Sequence, residues 1–335
     1  MRRAREGPLC RGVMSAPSLR AASRPVARPS PRRARCPRAG LRVVANADAF
    51  AEVGSGSTRE GALAAEKYIA SNRFFVKPGK GPKFEARWAT RKSRLALLDG
   101  FEFFTLMRRV DEGAPDSEPN YVSFTVWSDQ ESFTAWRTGE AFKEAHGGGS
   151  LWGFVQMLVS SSQTLVGAPK PAFYEGLLPV CPPVEDAPAS VGGWREVAAD
   201  GVSPLNAECL VAQNRFKIAP GAEGAFEERW ASRESKLTSC DGFVAFHLMR
   251  RDAPEADDGY NFVSTTVWRD MEAFEAWREA NVTAGHGQGK EGAKAPPSGQ
   301  MMLGPPSVAL YEGVLMLYPD KEGAAALKEA QAVEA

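Results

Sequence analysis

An internal repeat constrains the fold of this chain more than any other feature of its sequence. Two stretches carry the same residues in the same order, first at an offset of 142 positions and then at 141. The matches include Asn72 with Asn214, Trp88 with Trp230, Asp99-Gly100-Phe101 with Asp241-Gly242-Phe243, Thr125-Val126-Trp127 with Thr266-Val267-Trp268, and Trp136 with Trp277. A period of about 140 residues is too long for a solenoid, whose units span roughly 20 to 50 residues. The sequence therefore predicts one domain present twice.

The order of predicted elements within each repeat indicates a ferredoxin-like fold. In the first copy, aromatic and β-branched residues predict strands over 68–76, 101–110, 121–127 and 173–180. Apolar residues at helical spacing predict one helix over 83–98. A second helix is predicted to start at a capping box, Ser128 to Glu131, and to run through Phe142 to the glycines at 147–149. The resulting order is βαββαβ.

Such a unit has a four-stranded antiparallel sheet with helices on one face, and the other face needs cover. A second copy on the same chain can supply it. The sequence thus predicts an α+β protein in which two ferredoxin-like βαββαβ repeats form an intramolecular pseudo-dimeric barrel, a monomer that mimics a homodimer. We place the repeats at 63–180 and 206–320, a Pro-rich linker at 181–205 and a short amphipathic tail at 321–335.

Residues 1–45 have the composition of a targeting segment. They contain twelve arginines, no lysine and one acidic residue, and they lack the apolar stretch of a secretory signal. We expect a chloroplast transit peptide and a stromal location, with a mitochondrial presequence or a disordered basic arm for an acidic partner as alternatives. Without this segment the chain carries a net charge of about −11, which argues against nucleic-acid binding because phosphates need clustered cations.

Membrane spans, disulfides and common cofactor motifs are also disfavoured. The most apolar stretch, 151–166, is too short and too polar to span a bilayer. Beyond residue 45 three widely spaced cysteines remain, with no CxxC pair, which favours neither a disulfide framework nor a zinc site. No glycine-rich motif follows a predicted strand, as a Rossmann or P-loop nucleotide site would require. We therefore expect no membrane span, and any electron donor has to come from outside the chain.

A strand asparagine, a helix tryptophan and a following histidine could carry chemistry in each repeat. They are Asn72, Trp136 and His146 in the first repeat, and Asn214, Trp277 and His286 in the second. Taken singly, each has a structural interpretation: a hydrogen-bonded strand amide, a core tryptophan, and a histidine that caps a helix dipole.

The spacing within these sets differs between the repeats. Ten residues separate Trp136 from His146, which on a continuous helix leaves the two side chains about 80° apart, so that both could border a flat ligand. Nine residues separate Trp277 from His286, which puts them on opposite sides of a continuous helix. A second site therefore requires a break or bulge in that helix.

This pattern resembles the IsdG-type haem-degrading monooxygenases of the antibiotic biosynthesis monooxygenase superfamily. The resemblance rests on Asn-Arg in the first strand, Thr-Val-Trp at the end of the third, and Phe-x-x-Trp followed by histidine, and it covers both repeats. It implies that His146, and with the altered spacing His286, binds the haem iron as axial ligand. It implies that Asn72 and Asn214 offer amide donors on the other side of the iron.

The resemblance also implies that Trp136 and Trp277 press on the porphyrin and distort it. Haem would be substrate and cofactor together. It would be opened with O₂ and with electrons from an external donor such as ascorbate or a reductase, and iron would be released. The protein would contribute ligation, orientation and shape.

Several alternatives stay open. The fold also suits a cofactor-independent monooxygenase of polycyclic phenols, which would not need His146, or a haem-binding barrel without enzymatic activity. The apolar segments 156–158 and 300–303 could cover a pocket or pack in the core. Arg73 and Arg215 could pair with haem propionates or with nearby acids. His247, at the position of Thr105, is expected to be a packing or hydrogen-bonded residue.

Overall fold

A computed structural model describes residues 63–111, 115–145, 162–181, 187–233, 236–253, 256–283 and 301–334. Within these ranges each repeat forms an antiparallel sheet with helices on one side. The proposed transit peptide, His146, His286 and the segment 156–158 lie outside the described residues.

Eight antiparallel strands close into one barrel. They are β1 Lys67–Phe74, β2 Phe101–Arg109, β3 Tyr121–Trp127, β4 Lys170–Val180, β5 Cys209–Phe216, β6 Phe243–Arg251, β7 Phe262–Trp268 and β8 Ser307–Leu317. Their order around the barrel is β1-β3-β2-β8-β5-β7-β6-β4. The central strands β3 and β7 are buried at every residue. The predicted fold class, two ferredoxin-like repeats closing into an α+β barrel, is confirmed.

The last strand of each repeat joins the two sheets. β4 pairs with β1 of its own repeat and with β6 of the other, and β8 pairs with β5 and with β2. Each strand of the barrel therefore has two hydrogen-bonded neighbours. Closure removes the exposed edges at which a sheet could pair with another chain.

Strand alternation divides the apolar residues between two environments. Side chains such as Ile69, Met107, Phe124 and Met249 meet inside the barrel, in a core built from both repeats. Their strand neighbours point outward and form separate cores under the helices of each repeat. Candidate residues are therefore assigned to a face by their strand position.

The α-helices lie on the outside of the barrel. They include α1 Gly81–Ala89, α2 Gln130–Thr138, α3 Glu140–Ala145, α4 Glu223–Ala231, α5 Met271–Thr283 and α6 Lys321–Glu334. The last of these forms the segment for which we predicted an amphipathic tail. No helix in the described part of the chain is long and apolar enough to cross a membrane.

The helix predicted over 83–98 is shorter than expected. α1 ends at Ala89, and a separate 3₁₀ turn spans Leu95–Leu97. The hydroxyl of Ser93 accepts a hydrogen bond from the Leu95 backbone N–H at 3.3 Å. Serine competes in this way with helical hydrogen bonding, so residues 93–97 form a separate turn and do not extend α1.

The second helix of the first repeat differs from its prediction in two ways. Its N-cap is Asp129, which accepts from the Ser132 N–H, and not Ser128. The helix also ends at Thr138, because Gly139 is extended (ψ 172°), and α3 then begins at Glu140. Glycine is a poor helix former. A Cβ at Gly139 would also lie 2.9 Å from the Ala135 carbonyl oxygen.

In the second repeat the helix shows no break as far as the described residues extend, and residues 284–286, where the required break could still lie, are outside them. There α5 is unbroken from Met271 to Thr283, with Ala280 at the position of Gly139. A break occurs in the first repeat, where we expected a continuous helix. The angle of 80° between Trp136 and His146 therefore does not apply, because the residues between them do not form one helix.

In each repeat a buried glutamate binds the segment that precedes the first strand of the other repeat. Glu85 of α1, fully buried, accepts from the Leu205 N–H at 2.5 Å and from Arg108 at 2.8 Å. Glu227 of α4, equally buried, accepts from the Leu63 N–H at 2.5 Å. We call these two contacts the glutamate clasps.

Candidate active site on the helix-facing side of the sheet

Asn72 lies on the outer face of β1, towards the helices. Tyr68, Ala70 and Phe74 on the same face belong to the core of the first repeat. Asn72 is half-buried, opposite Ser123 of β3 in the sheet register. Its amide forms no hydrogen bond to any residue in the described part of the chain. A half-buried amide of this kind is available to a ligand, because leaving it without a partner costs free energy.

The sheet surface around Asn72 is polar although it is buried. Ser123 is 2% exposed and Thr125, two residues further along β3, is 8% exposed. Strand alternation places both hydroxyls on the same face as Asn72. Together the three side chains form a polar floor between the helices.

Trp136 stands on one side of this floor, on α2. Its ring packs 5.4 Å from Trp127, 5.9 Å from Phe133 and, edge-on, 5.1 Å from Phe142 of α3, measured between centroids. Trp127 is fully buried, whereas Trp136 is half-buried. Trp136 is thus a core residue by its contacts.

The other side of the floor is formed by α1 and includes a residue that sequence reasoning missed. Arg91, just after α1, lies between two indole rings, 5.0 Å from Trp88 and 5.7 Å from Trp194 of the linker. Burial and the nearby Arg87 lower the pKa of Arg91 to about 10. Its Nε has no hydrogen-bond partner among the described residues. The signal was present in the repeat, since Arg91 matches Arg233.

A desolvated guanidinium whose Nε has no partner in the described chain is suited to bind an anion. In the second repeat, Arg233 lies 4.5 Å from Trp230, but no second indole covers it within the described ranges. The linker therefore contributes to the first repeat a residue, Trp194, that the second does not receive from the described chain.

The second repeat has the same strand asparagine and helix tryptophan, but their contacts differ from those in the first repeat. The Asn214 amide donates to the Ser264 hydroxyl at 3.4 Å. Trp277 packs 5.3 Å from Trp268 and 5.9 Å from Phe274. Thr283 stands where the first repeat has Phe142.

The two histidines predicted as haem ligands lie outside the described residues. His146 follows α3 directly in the sequence, and His286 comes three residues after the end of α5. Of the two apolar segments, only 301–303 is described. There Met301 is 2% exposed and packs in the core of the second repeat, whereas Leu303 is exposed.

Arg73 and Arg215 pair with acids. Arg73 contacts Asp257 at 2.7 Å and Asp258 at 2.5 Å, and Arg215 contacts Glu118 at 2.5 Å. Both arginines point into the barrel, because they neighbour the outward-facing asparagines on their strands. They do not share the sheet face of Asn72 and Trp136.

His247 lies inside the barrel, 6% exposed, with its Nε2 3.5 Å from the Cys181 sulfur. Burial, with a contribution from Lys67, lowers the pKa of His247 to about 4, so the imidazole is neutral at pH 7. No cluster of three or more His, Cys, Asp or Glu side chains suited to a metal ion occurs in the described part of the chain.

Comparison with known proteins identifies the repeated domain. The sequence profile of the antibiotic biosynthesis monooxygenase family matches residues 67–148 and 209–283. The haem oxygenase (staphylobilin-producing) of Staphylococcus saprophyticus is 32% identical over 83 residues, which is 25% of this chain and 76% of that protein. The haem oxygenase (mycobilin-producing) of Mycobacterium tuberculosis is 32% identical over 77 residues, 23% of this chain and 70% of that protein.

A solved structure is similar to part of this chain. It is the crystal structure of a MhuD variant with two manganese protoporphyrin IX molecules bound per active site. It is 24% identical, covers 32% of this chain and 95% of that chain, and has a TM-score of 0.25.

Proposed function

The chain belongs to the antibiotic biosynthesis monooxygenase family, and from this premise we propose that it is a haem-degrading monooxygenase. It opens the porphyrin ring with O₂ and electrons from an external donor, such as ascorbate or a reductase, and releases iron. The two relatives described above are both haem oxygenases.

One observation carries the proposal. Asn72 and Trp136, which the repeated sequence pattern singles out, lie on the same face of one sheet, with a half-buried amide and a half-buried ring. Trp88 of α1 and Trp136 of α2, both partly buried, pack against the core on the sheet face that also carries the polar floor. A porphyrin needs this combination, since its body is apolar and flat while its iron requires polar partners.

Each residue of the proposed site offers a different chemical group. Haem, when bound, supplies the redox chemistry. Asn72 offers an N–H donor from the sheet, and Trp136 offers a rigid ring that restricts the shape of a flat ligand. Arg91 offers a cation for a carboxylate at the rim of the macrocycle. His146 is the proposed axial ligand of the first repeat, and Asn214, Trp277 and His286 are the matching set of the second.

The test is a haem titration of residues 46–335, followed by addition of ascorbate in air. We expect saturable binding with a shifted Soret band, then bleaching with iron release. Asn72→Ala and Trp136→Ala should slow bleaching by about tenfold or more, because each removes a group that orients the substrate. Arg73→Gln, whose side chain lies on the opposite sheet face, is the matched control and should bleach like the wild type.

Other outcomes identify the alternatives. Binding without bleaching would favour a non-enzymatic haem-binding barrel. No saturable binding in any variant would overturn the haem proposal and favour a cofactor-independent monooxygenase of polycyclic phenols.

We also propose that the protein acts in the chloroplast stroma. The support is the arginine-rich, acid-poor composition of residues 1–45. A fluorescent fusion of residues 1–60 should enter chloroplasts, and a cytosolic or mitochondrial signal would contradict this location.

A further inference from the structure

The two repeats differ in the helix that precedes the proposed haem ligand. In the first repeat Gly139 interrupts this helix, and α3, Glu140–Ala145, runs directly up to His146 in the sequence. In the second repeat α5 is one continuous helix from Trp277 to Thr283. A separate short helix can be oriented independently of Trp136, but only if something outside it fixes its position.

Arg94 supplies that contact. Its Nε and Nη2 donate to the two carboxylate oxygens of Glu144 on α3, at 2.8 and 2.9 Å. This two-pronged arrangement fixes direction as well as distance, because the guanidinium and the carboxylate are both planar. Glu144 is two residues before His146, so α3 is held at the end next to the proposed ligand.

Arg94 is itself held in place by two other parts of the chain. The 3₁₀ turn that follows Arg94, Leu95–Leu97, contacts the linker. Its Ala96 N–H donates to the Gly193 carbonyl at 3.0 Å. The Asp320 N–H, at the start of α6, donates to the Ala96 carbonyl at 2.9 Å. Gly193 has φ +91°, and a Cβ there would lie 2.6 Å from the Arg94 Cα. The linker therefore packs directly on the backbone of Arg94.

No equivalent of the Arg94–Glu144 contact occurs among the described residues of the second repeat. Lys236 stands at the position of Arg94 and is exposed. The sequence offers Ala284 or Gly285 at the position of Glu144, depending on which spacing is followed, and neither has a carboxylate. The contact is thus specific to the first repeat.

We propose that Arg94 is a positioning residue that holds α3 for haem binding, and that the first repeat is consequently the half of the molecule that binds and opens haem. The inference rests on the proposed function. The second repeat then serves to close the barrel and to brace the first through the linker and α6.

The experiment compares Arg94→Gln with Lys236→Gln, its counterpart in the second repeat. Wild type should bind one haem per chain. Arg94→Gln should weaken haem binding by about tenfold, as loss of a group that orients a metal ligand typically does, and should shift the Soret band of the complex. Lys236→Gln should match the wild type. Both variants should melt near the wild-type temperature, because exposed ion pairs contribute little to stability.

A charge exchange separates positioning from a loss of packing. Glu144→Gln should reproduce the effect of Arg94→Gln. The double variant Arg94→Glu with Glu144→Arg should recover most of the affinity and the wild-type Soret position, because the same contact can form with its partners reversed.

The outcomes separate this inference from the function on which it rests. If wild type degrades haem and Arg94→Gln behaves like Lys236→Gln, the positioning role is wrong and the proposed function stands. Two haems of equal affinity per chain would overturn the assignment to the first repeat alone. If wild type binds no haem, the proposed function fails and the inference fails with it.

Discussion

At the scale of single residues, the face of a strand decides what a side chain can do. Asn72 faces the helices and a potential ligand, whereas Ser71 and Arg73 beside it face the barrel interior. The same alternation puts His247 inside the barrel, where its counterpart in the first repeat is Thr105. Because the first repeat has threonine at this position, the fold does not require a histidine there. The titration of His247 can therefore be tested by substitution.

His247 should make the protein less stable in mild acid. The pKa of His247 is about 4 in the folded protein, lowered from its ordinary 6.5. Above pH 6.5 the residue is neutral in both states and contributes no pH dependence. As the pH falls from 6.5 towards 4, only the unfolded chain takes up the proton, which costs up to about 3 kcal/mol of folding stability.

The measurement is urea unfolding of wild type and His247→Thr at pH 7, 6, 5 and 4. The stability of wild type should fall more steeply over this range than that of the variant. His146 and His286 are present in both proteins, so the difference isolates His247. Parallel pH profiles would show that its imidazole is not held neutral by the fold.

At the scale of elements, the break between α2 and α3 is the feature on which the proposed role of Arg94 depends. All four strands of the first repeat formed within a few residues of their predicted bounds, because alternation and β-branched residues mark them clearly. Helix ends were predicted less well. They depended on local competitors of helical hydrogen bonding, such as Ser93, and on Gly139, whose effect we did not anticipate.

Gly139→Ala should weaken haem binding by several-fold, without unfolding the protein. The added Cβ would lie 2.9 Å from the Ala135 carbonyl oxygen, so the backbone must shift. Alanine also favours continuation of the helix, which would move α3 out of reach of Arg94. Haem titration and far-UV circular dichroism would measure both effects.

Ala280→Gly is the matched variant in α5. It should cost about 1 kcal/mol of stability, as glycine does inside a helix, with little effect on a haem bound in the first repeat. If Gly139→Ala bound haem as tightly as wild type, the break would have no role in the site.

At the scale of the whole molecule, closure of the barrel ties the repeats together. β4 and β8 each pair with both repeats, and the glutamate clasps hold the segments that enter β1 and β5. Since all eight strands are paired on both sides, the barrel needs no second chain. We therefore predict a monomer in solution, which light scattering on an eluting column peak would measure. A stable dimer would contradict this.

Removing a clasp should destabilise the whole molecule in one cooperative transition. Glu85→Ala leaves the Leu205 N–H and the Tyr121 hydroxyl without their acceptor and removes one partner of Arg108. We expect a loss of about 3 kcal/mol, as for other broken buried pairs. Urea unfolding followed by tryptophan fluorescence and by circular dichroism should give coincident curves.

Glu312→Ala is the control for the loss of charge. Glu312 also pairs with Arg108 but is 32% exposed on its side chain, so water can replace it and the cost should stay below about 1 kcal/mol. Equal effects of the two substitutions would show that burial of Glu85 does not set its contribution.

The sequence by itself determined the duplication, the βαββαβ order, the closure of two sheets into one barrel, and the choice of Asn72 and Trp136. The duplication follows from identities at a nearly constant offset, and the element order follows from alternation and helical spacing, which are properties of neighbouring residues. The closure follows because each sheet has one face that needs cover. Only the tertiary structure decided that the helix of the first repeat breaks at Gly139 whereas that of the second continues to Thr283, where the described residues stop. It also decided that Arg91 lies between Trp88 and Trp194, and that Arg73 and Arg215 pair with acids. Those outcomes depend on contacts between residues far apart in the chain, which no local pattern contains.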